Sequence, residues 1–464
     1  MTSNDLITNV IYYSLFHKEL FEDKINLIKY LPKNVFGVFS TIRRASKVSS
    51  YPIDIHGCIG YWDPNFNTLN NKTLYENLLR VSYDSVWSDN RNKYFPPIQT
   101  DPNSFLEIDF MMNPLYKIDK KTGIISNLNI PFTNNIFGII IQTKDKSHRA
   151  TYLPKVFPSI SWNKLIVSIK NKANITFEDF DLFAYKIIQV KSTFITLLTN
   201  NIFSYISIRN FTLLLLNNIQ YKLNFPLAYS CKNNMLEWNY NDNVRNISTL
   251  GDIFKYITIY PNLASKTQFN FIKQKIFDIL NNIQKYSSQS LSFLGFIFQL
   301  LNINKEEYCK KLLTDLPSAE EEFEKPEIII GLNKSGCTVN AKYYNYPLTY
   351  TSDDSIFKMN WIIQAIISYN KRPSNQLIKL LENKINNIIA NIQNIETNYI
   401  AVSFEALCFV YGTTRQKKIL HKIFQLFFEL EKRKNCYNTL YTFLDKRARV
   451  DISEHVINGL IELN

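Results

Sequence analysis

Residues 55–62 carry the side chains best suited to chemistry in this chain. The segment reads Ile-His-Gly-Cys-Ile-Gly-Tyr-Trp, so Cys58 lies between Gly57 and Gly60, and His56 lies two residues before the thiol. Glycine permits positive φ and lets other groups approach closely, so this spacing predicts a tight, open bend that presents the thiol. On a regular strand His56 and Cys58 would share a face, which makes His56 the nearest candidate base.

A thiol in such a bend could act as a nucleophile or a metal ligand, provided that a nearby cation or helix N-terminus lowers its pKa. The base would be His56 or His148, and Glu107 or Asp109 would orient it. His148 and Arg149 precede an apolar strand and could bind a phosphate or carboxylate. Each feature also has a plain structural explanation: a small thiol that fills the core, a solvated turn, and an exposed polar sheet face. The residues alone leave both interpretations open.

The elements around this segment are predicted to form an α+β domain over residues 1–192. A first hairpin would place Arg43 and Arg44 near its tip and the thiol at its far end. Glu107 and Asp109 alternate with apolar residues on a later strand, so they would share one face. Apolar periodicity predicts helices at 6–21, 73–87 and 162–173, and strands at 34–42, 53–55, 105–112, 137–142 and 150–157. A mostly antiparallel sheet with flanking helices follows.

Four stretches, in this order, resemble the AMMECR family. They are Val-Phe-Gly-Val-Phe at 35–39, Gly-Cys-Ile-Gly at 57–60, Leu-Glu-Ile-Asp-Phe at 106–110, and Thr-Tyr-Leu-Pro at 151–154 followed by Trp162. The resemblance spans residues 5–190 and implies an α+β domain with a site around the cysteine core. In microbes the family is associated with Memo proteins and a radical-SAM protein, so the resemblance implies a partner of that kind. It implies no defined reaction.

Two positions depart from the family pattern. His56 stands where the family has an arginine, and Arg91 is separated from Phe95 and Pro96 by three residues. If these arginines bind an anion in relatives, the anion would be held less well here, or through His56 and Arg149. The expected ligand-binding residues are Gly57, Gly60, Arg91, His148 and Arg149.

Residues 193–464 are predicted to form an all-α domain of helical hairpins. An acidic linker at 318–326 and a short β insert at 327–345 would interrupt it. The predicted helices cover 194–218, 250–259, 266–286, 291–301, 305–313, 356–369, 375–392, 403–434 and 452–463.

Two helix starts in this half, 401–407 and 449–456, resemble those of α/α-toroid proteins, in which polar residues line a central cavity. By that resemblance the cavity residues here are Glu405, Arg449, Asp451 and His455. The segment 451–454 is also an ordinary helix-capping sequence, so a purely structural role stays open.

Composition narrows the classes of function. At 464 residues the chain exceeds a single core, so two or three domains are expected. The net charge of +13 comes from scattered lysines rather than a block, so nucleic acid is the weaker partner hypothesis. Six cysteines without a CxxC indicate neither a disulfide framework nor a zinc site. With no apolar run near the ~20 residues that span a bilayer, we expect a reduced, cytoplasmic protein that contacts no membrane.

Three functional hypotheses follow from these features. The first is a small-molecule enzyme, or an enzyme accessory, built around Cys58, with its cofactor left open. The second is a binding or adaptor module for nucleic acid or an acidic protein. The third is a structural component.

Overall fold

The computed structural model describes residues 3–20, 24–44, 55–94, 104–157, 160–194, 196–199, 201–218, 226–230, 235–238, 242–320, 323–340, 350–434, 441–442 and 447–463. The chain divides into two compact units, Met1–Leu197 and Leu198–Asn464. The division falls a few residues beyond the boundary at 192 that the sequence suggested.

The central element of the first unit is a six-stranded sheet in the order β2–β1–β3–β8–β6–β7. All neighbouring strands are antiparallel, which confirms the sheet expected from the sequence. The strands are β1 (Val35–Arg43), β2 (Ile55–Trp62), β3 (Phe105–Lys117), β4 (Ile124–Ile125), β5 (Ile130–Pro131), β6 (Gly138–Thr143), β7 (Arg149–Tyr152) and β8 (Phe180–Thr193), with β4 and β5 forming a separate pair. The helices are α1 (Ser3–Phe16), α2 (Lys24–Ile28), α3 (Asn71–Trp87), a 3₁₀ turn Asn90–Tyr94, and α4 (Trp162–Lys172).

Helices cover one face of this sheet. Helix α3 packs on β1 and β2, with α1 behind it, and the apolar residues Leu106, Ile108 and Phe110 of β3 are buried as their alternation predicts. The sheet curves into a half-barrel whose free edges are β2 and β7. Arg149 of β7 reaches Trp62 of β2. The two free edges therefore approach each other across a slot.

The second unit is mostly helical, as expected. Its elements, with the short helix at the boundary, are α5 (Thr196–Thr199), α6 (Asn201–Asn218), β9 (Pro226–Ser230), β10 (Met235–Trp238), α7 (Asn243–Ile259), α8 (Lys266–Leu280), α9 (Ser288–Ser292), α10 (Gly295–Leu301), α11 (Glu306–Asp315), α12 (Glu324–Ser335), α13 (Ile356–Ser368), α14 (Asn375–Ala390), α15 (Thr397–Thr414), α16 (Lys417–Lys432), β11 (Tyr441–Thr442), β12 (Arg447–Arg449) and α17 (Val450–Leu463). A four-stranded sheet, β10–β9–β12–β11, joins distant parts of the chain and was not predicted.

Six helices of this unit contact one another in succession. Helix α7 packs on α9, α9 on α12, α12 on α13, α13 on α15, α15 on α17, and α17 again on α7. The other helices pack outside this set: α8 on α7, α11 on α12, α14 on α15 and α16 on α15. Serines begin several of these helices, because Ser265, Ser287, Ser355 and Ser374 each accept a hydrogen bond from a first-turn backbone N–H.

Two local predictions for this unit were wrong. The run Ile328-Ile329-Ile330 was expected in a β insert but lies in helix α12, which tolerates Pro326 in its first turn. The β-branched run is buried on all sides, and such a run reads alike in a strand and a buried helix. The predicted helix 403–434 is two helices, because Arg415 adopts a left-handed conformation (φ 54°) that ends α15. Residues 341–349 of the predicted insert lie outside the described residues.

The expectation of reduced cysteines is also corrected. Cys309 and Cys337, 28 residues apart, form a disulfide that ties α11 to the end of α12. Cys58 and Cys408 are free thiols, and Cys231 and Cys436 lie outside the described residues. Within the described ranges, every helix is too short or too polar to cross a bilayer.

Candidate functional site

The segment around Cys58 is a continuous strand, so the predicted bend is wrong. Residues 55–62 form β2, and Cys58 pairs with Thr41 of β1. Its glycines serve close packing: a Cβ at Gly57 would lie 1.9 Å from the Ser85 carbonyl oxygen of α3. Glycine here lets helix and sheet approach, rather than turning the chain.

His56 does not share a face with Cys58. The pairing of β1 with β2 shifts at His56, which makes it the extra residue of a β-bulge. Its ring lies against α3, 3.4 Å from the Val86 carbonyl, and contacts the Arg44 guanidinium. Burial, and then the positive charge of Arg44, lower the pKa of His56 to about 4. His56 is therefore a neutral ring on the opposite side of the sheet, and its predicted role as base toward Cys58 is corrected.

The Cys58 thiol lies on the concave face of the half-barrel and is half-buried. Its Sγ accepts a hydrogen bond of 3.1 Å from the Thr41 hydroxyl. Burial raises the pKa of the thiol, and this outweighs the opposing effects of Thr41 and Arg91. The fold thus favours a neutral thiol over the thiolate that nucleophilic chemistry needs.

Glu107 and Asp109 share the concave face, as their alternation predicts. Glu107 forms an ion pair with Arg43, with 2.6 Å between Glu107 Oε2 and Arg43 Nε. Asp109 is buried and accepts a 2.8 Å hydrogen bond from Gln189 of β8. Burial raises the pKa of Asp109 to about 6, despite that hydrogen bond. Both carboxyls are thus occupied by cross-strand partners, and neither bonds to an imidazole.

Arg91 covers the free edge of β2 at Cys58. The Cys58 N–H donates to Asp89 Oδ2 at 2.9 Å, and Arg91 Nη2 donates to the Cys58 carbonyl at 3.2 Å. Arg91 and Asp89 form a 2.6 Å ion pair. Burial disfavours the Asp89 carboxylate, but hydrogen bonds from Arg91 and Cys58 hold its pKa below the usual range. Sequence reasoning missed Asp89, although its place two residues before Arg91 was a usable signal.

Arg149, Lys172 and His148 lie at the opposite edge, around β7. The Arg149 guanidinium stacks over Trp62, 4.9 Å from the ring centroid, and its Nη1 is buried without a hydrogen-bond partner. Lys172 Nζ donates to the Thr151 carbonyl at 2.8 Å. His148 Nδ1 lies 3.2 Å from the Ala173 carbonyl. Lys172 was not among the predicted site residues.

The family model AMMECR1 matches residues 6–191. Residues 6–191 form an AMMECR1 domain. The match includes β1 to β7 and nearly all of β8, and therefore both edges of the slot. No family covers the helical part of the chain, and no curated protein is detectably similar to the whole.

Outside the AMMECR1 domain, the second unit contains a partly open cavity of about 290 Å³. It lies among the six helices that contact one another in succession. The residues that the sequence suggested for such a cavity, Glu405, Arg449, Asp451 and His455, all lie on its wall. The wall also includes several residues that sequence reasoning missed: Asp252, Lys255, Glu327, Lys334, Trp361, Gln364 and Glu454.

Two ion pairs organise this wall. His455 Nδ1 lies 2.8 Å from Glu405 Oε2. Burial opposes protonation of His455, but the charge and hydrogen bond of Glu405 raise its pKa overall. Arg449 Nε donates to Asp451 at 2.9 Å. Among the residues that the structure describes, no three His, Cys, Asp or Glu side chains are grouped to hold a metal ion.

Proposed function

We propose that the AMMECR1 domain binds the carboxylate or phosphate group of a small molecule in the slot between β2 and β7, beside Cys58. The observation that carries this proposal is a pair of cations on opposite edges. Arg91 lies on the β2 edge and Lys172 on the β7 edge, and each is bonded to an edge carbonyl.

These two cations act on each other and on one thiol. Loss of hydration lowers the pKa of Lys172, and the charge of Arg91 lowers it further. Both cations favour ionisation of Cys58, although burial prevails. Asp89 already compensates the charge of Arg91, so Lys172 is the member of this pair without a carboxylate partner in the part of the chain that the structure describes. An anion bound beside Lys172 would offset its lost hydration and so lower the energy of the folded domain.

Arg149 supports the same proposal from the end of the slot. Its buried Nη1 has no partner, and the Nε1 atom of Trp62 beneath it is likewise buried without one. Buried donors are normally satisfied, so an acceptor that the chain does not supply is expected there. Among the described residues, neither Arg149 nor Lys172 forms an ion pair with a carboxylate.

The state of the thiol favours binding over thiolate catalysis. A half-buried neutral thiol can contact a ligand, but nucleophilic attack needs the thiolate, which burial disfavours. The domain is therefore proposed as a small-anion-binding or enzyme-accessory module. A Memo-type or radical-SAM partner and the adaptor hypothesis stay predictions. The successive helix contacts of the second unit support, in the same way, the proposal of an α/α toroid.

The experiment compares alkylation of Cys58 by iodoacetate, an anion, with alkylation by neutral iodoacetamide, using peptide mass spectrometry. We expect the iodoacetate-to-iodoacetamide rate ratio at Cys58 to exceed that of the denatured chain by about tenfold, because cations concentrate anions locally. Lys172→Gln and Arg149→Gln should each lower the ratio, and inorganic phosphate should compete.

The matched control is Lys121→Gln, which removes an exposed lysine on the turn before β4 and should leave the ratio unchanged. A native ratio equal to the denatured one, or a ratio that neither Lys172→Gln nor Arg149→Gln alters in a folded protein, would rule out the proposal.

A further inference from the structure

The cavity of the second unit is lined by a buried glutamate whose carboxyl group has a hydrogen-bond partner, among the described residues, on only one of its two oxygens. Glu327 is 5% exposed, and Gln289 hydrogen-bonds to its carboxyl group. The other oxygen, Oε2, is buried without a partner, and Glu327 lies on the cavity wall. A buried polar atom with no partner in the protein points to a group that arrives from outside.

The surroundings of Glu327 favour its neutral form. Burial raises its pKa to about 8, nearby Glu324 adds to this, and Gln289 and His455 oppose it. Helices α9 and α10, which pack on α12, carry no charged residue within their bounds. On or beside α11 and α13, Lys311 forms an ion pair with Asp315, and Lys358 forms one with Asp354.

A second carboxyl faces the same cavity. Burial raises the pKa of Asp252 only to about 6, since Lys255 and Lys334 oppose the effects of burial and Glu405. Asp252 accepts one long hydrogen bond, 3.5 Å from Asn458. Asp252 therefore loses its proton at a lower pH than Glu327 does. Its neighbour Glu454, whose pKa is raised well above the usual range by burial and by Asp252, accepts a hydrogen bond from Thr249.

Glu327 and Asp252 lie on two different helices of the cavity wall, α12 and α7. Lys334, one of the charges acting on Asp252, lies seven residues beyond Glu327 on α12. That spacing is about 10 Å along the helix axis, and both residues line the cavity. Separate acid and base groups whose environments push their pKa values apart are the arrangement that proton-transfer sites use.

The rest of the wall indicates the class of molecule. Equal numbers of basic and acidic side chains line it: Arg245, Arg449, Lys255, Lys334 and His455 against Asp252, Glu327, Glu405, Asp451 and Glu454. Because burial keeps Glu327 and Glu454 protonated, the basic side chains outnumber the ionised acids on this wall. Gln364 Nε2 and Asn398 Oδ1 are buried there without partners, so a donor and an acceptor both await a ligand. Trp361 and Phe357 supply flat apolar surface.

We infer that this cavity is an acid–base site for a small polar molecule, in which Glu327 gives up a proton and Asp252 accepts one. This site is independent of the slot in the AMMECR1 domain. Glu327 is thus the proposed proton donor, and Asp252 is the proposed proton acceptor.

The test uses diazoacetamide, a small uncharged polar reagent that esterifies protonated carboxyl groups. The carboxyl proton moves to the diazo carbon, a carboxylate oxygen bonds to that carbon, and N₂ leaves. The full-length protein is labelled between pH 5 and 9, and peptide mass spectrometry locates the esters. We expect Glu327 to be labelled at pH 7, with labelling lost through about pH 8, and Asp252 to be labelled only below about pH 6.

A matched variant serves as the control. Glu327→Gln should lose the pH 7 ester, whereas Glu324→Gln, on the same helix, should keep it. No ester on Glu327 at pH 7, or equal labelling of Asp252 and Glu327 at every pH, would overturn the acid–base assignment.

Discussion

At the scale of single residues, burial favours the protonated forms of two side chains, Cys58 and Glu327, because it removes the water that would stabilise their charged forms. Their surroundings differ, since Cys58 has cations nearby and Glu327 has an acid on its own helix. In both cases burial outweighs the local charges. The difference between their pKa values and those of the unfolded chain gives each residue a measurable pH signature.

For Cys58 the signature is reactivity. Because its pKa is raised, its alkylation by iodoacetamide should keep accelerating above pH 9, whereas an ordinary thiol with a pKa of ~8.5 levels off. Thr41→Val removes the hydroxyl that donates to Sγ and should slow the reaction severalfold at pH 9. Rates are measured by peptide mass spectrometry with the denatured chain as reference. A native profile that levels off with the denatured one would contradict the neutral thiol.

For Glu327 the signature is stability. The folded state holds a proton up to about pH 8, while the unfolded residue ionises near ~4.3. The unfolded state therefore binds fewer protons between these values, so stability falls as pH rises through that window. Glu327→Gln removes this loss. We expect the free energy of unfolding of the variant, relative to the parent, to rise by about 3 kcal/mol between pH 5 and pH 8. Its melting temperature, relative to the parent, should rise by several degrees over the same range.

The contradicting outcome is a melting-temperature difference that is the same at both pH values. Glu307→Gln serves as the control, because it removes an exposed carboxyl group of α11. Differential scanning calorimetry of both variants and the parent gives the comparison directly.

At the scale of elements, close helix packing in the second unit depends on particular glycines. A Cβ at Gly331 of α12 would lie 2.6 Å from the Ser292 Cα of α9, whereas at Gly412 of α15 it would meet only Glu462 oxygen at 3.3 Å. Gly331→Ala should therefore lower stability by about 2 kcal/mol through overpacking. Gly412→Ala should be neutral or stabilising by up to about 1 kcal/mol, since alanine favours helix.

Chemical denaturation of the two alanine variants measures this difference. Both replace a glycine inside a helix, so helix propensity is matched and only the contact with the neighbouring helix differs. Equal stabilities for the two variants would contradict the close α9–α12 contact.

Sequence patterns predicted helices and strands better than they predicted which elements pack against each other. The strand alternation that set Glu107 and Asp109 on one face was right because a strand's period fixes it locally. The bend at Gly57 was wrong because glycine serves turns and close contacts alike, and only the position of α3 decides between them. The bulge that turns His56 away depends on pairing with β1, which the segment itself does not encode.

Only part of the cavity wall was predicted from the sequence. Two helix starts pointed to Glu405 and His455, but Glu327, Ile330 and Lys334 were read as part of a β insert. Their spacing of three and then four residues marks one face of a helix, and this signal would have found the acid had α12 been recognised.

At the scale of the whole molecule, the net charge of +13 is spread over both units. Diffuse charge gives binding to nucleic acid that depends on salt rather than on a built surface. We expect a 20-nucleotide single-stranded DNA to bind detectably at 20 mM salt and not at 150 mM, by fluorescence anisotropy. Sub-micromolar binding that persists at 150 mM would instead favour the adaptor hypothesis with nucleic acid as partner.

The central claim is that an anion binds between the two edges of the AMMECR1 domain. Anomalous diffraction from crystals soaked in selenate tests it most directly, because selenium marks the anion's position. The account predicts a peak within hydrogen-bond distance of Lys172 Nζ, in the slot with Arg91 and Arg149, that is lost in Lys172→Gln. A slot without a peak, while selenate occupies other sites, would contradict it.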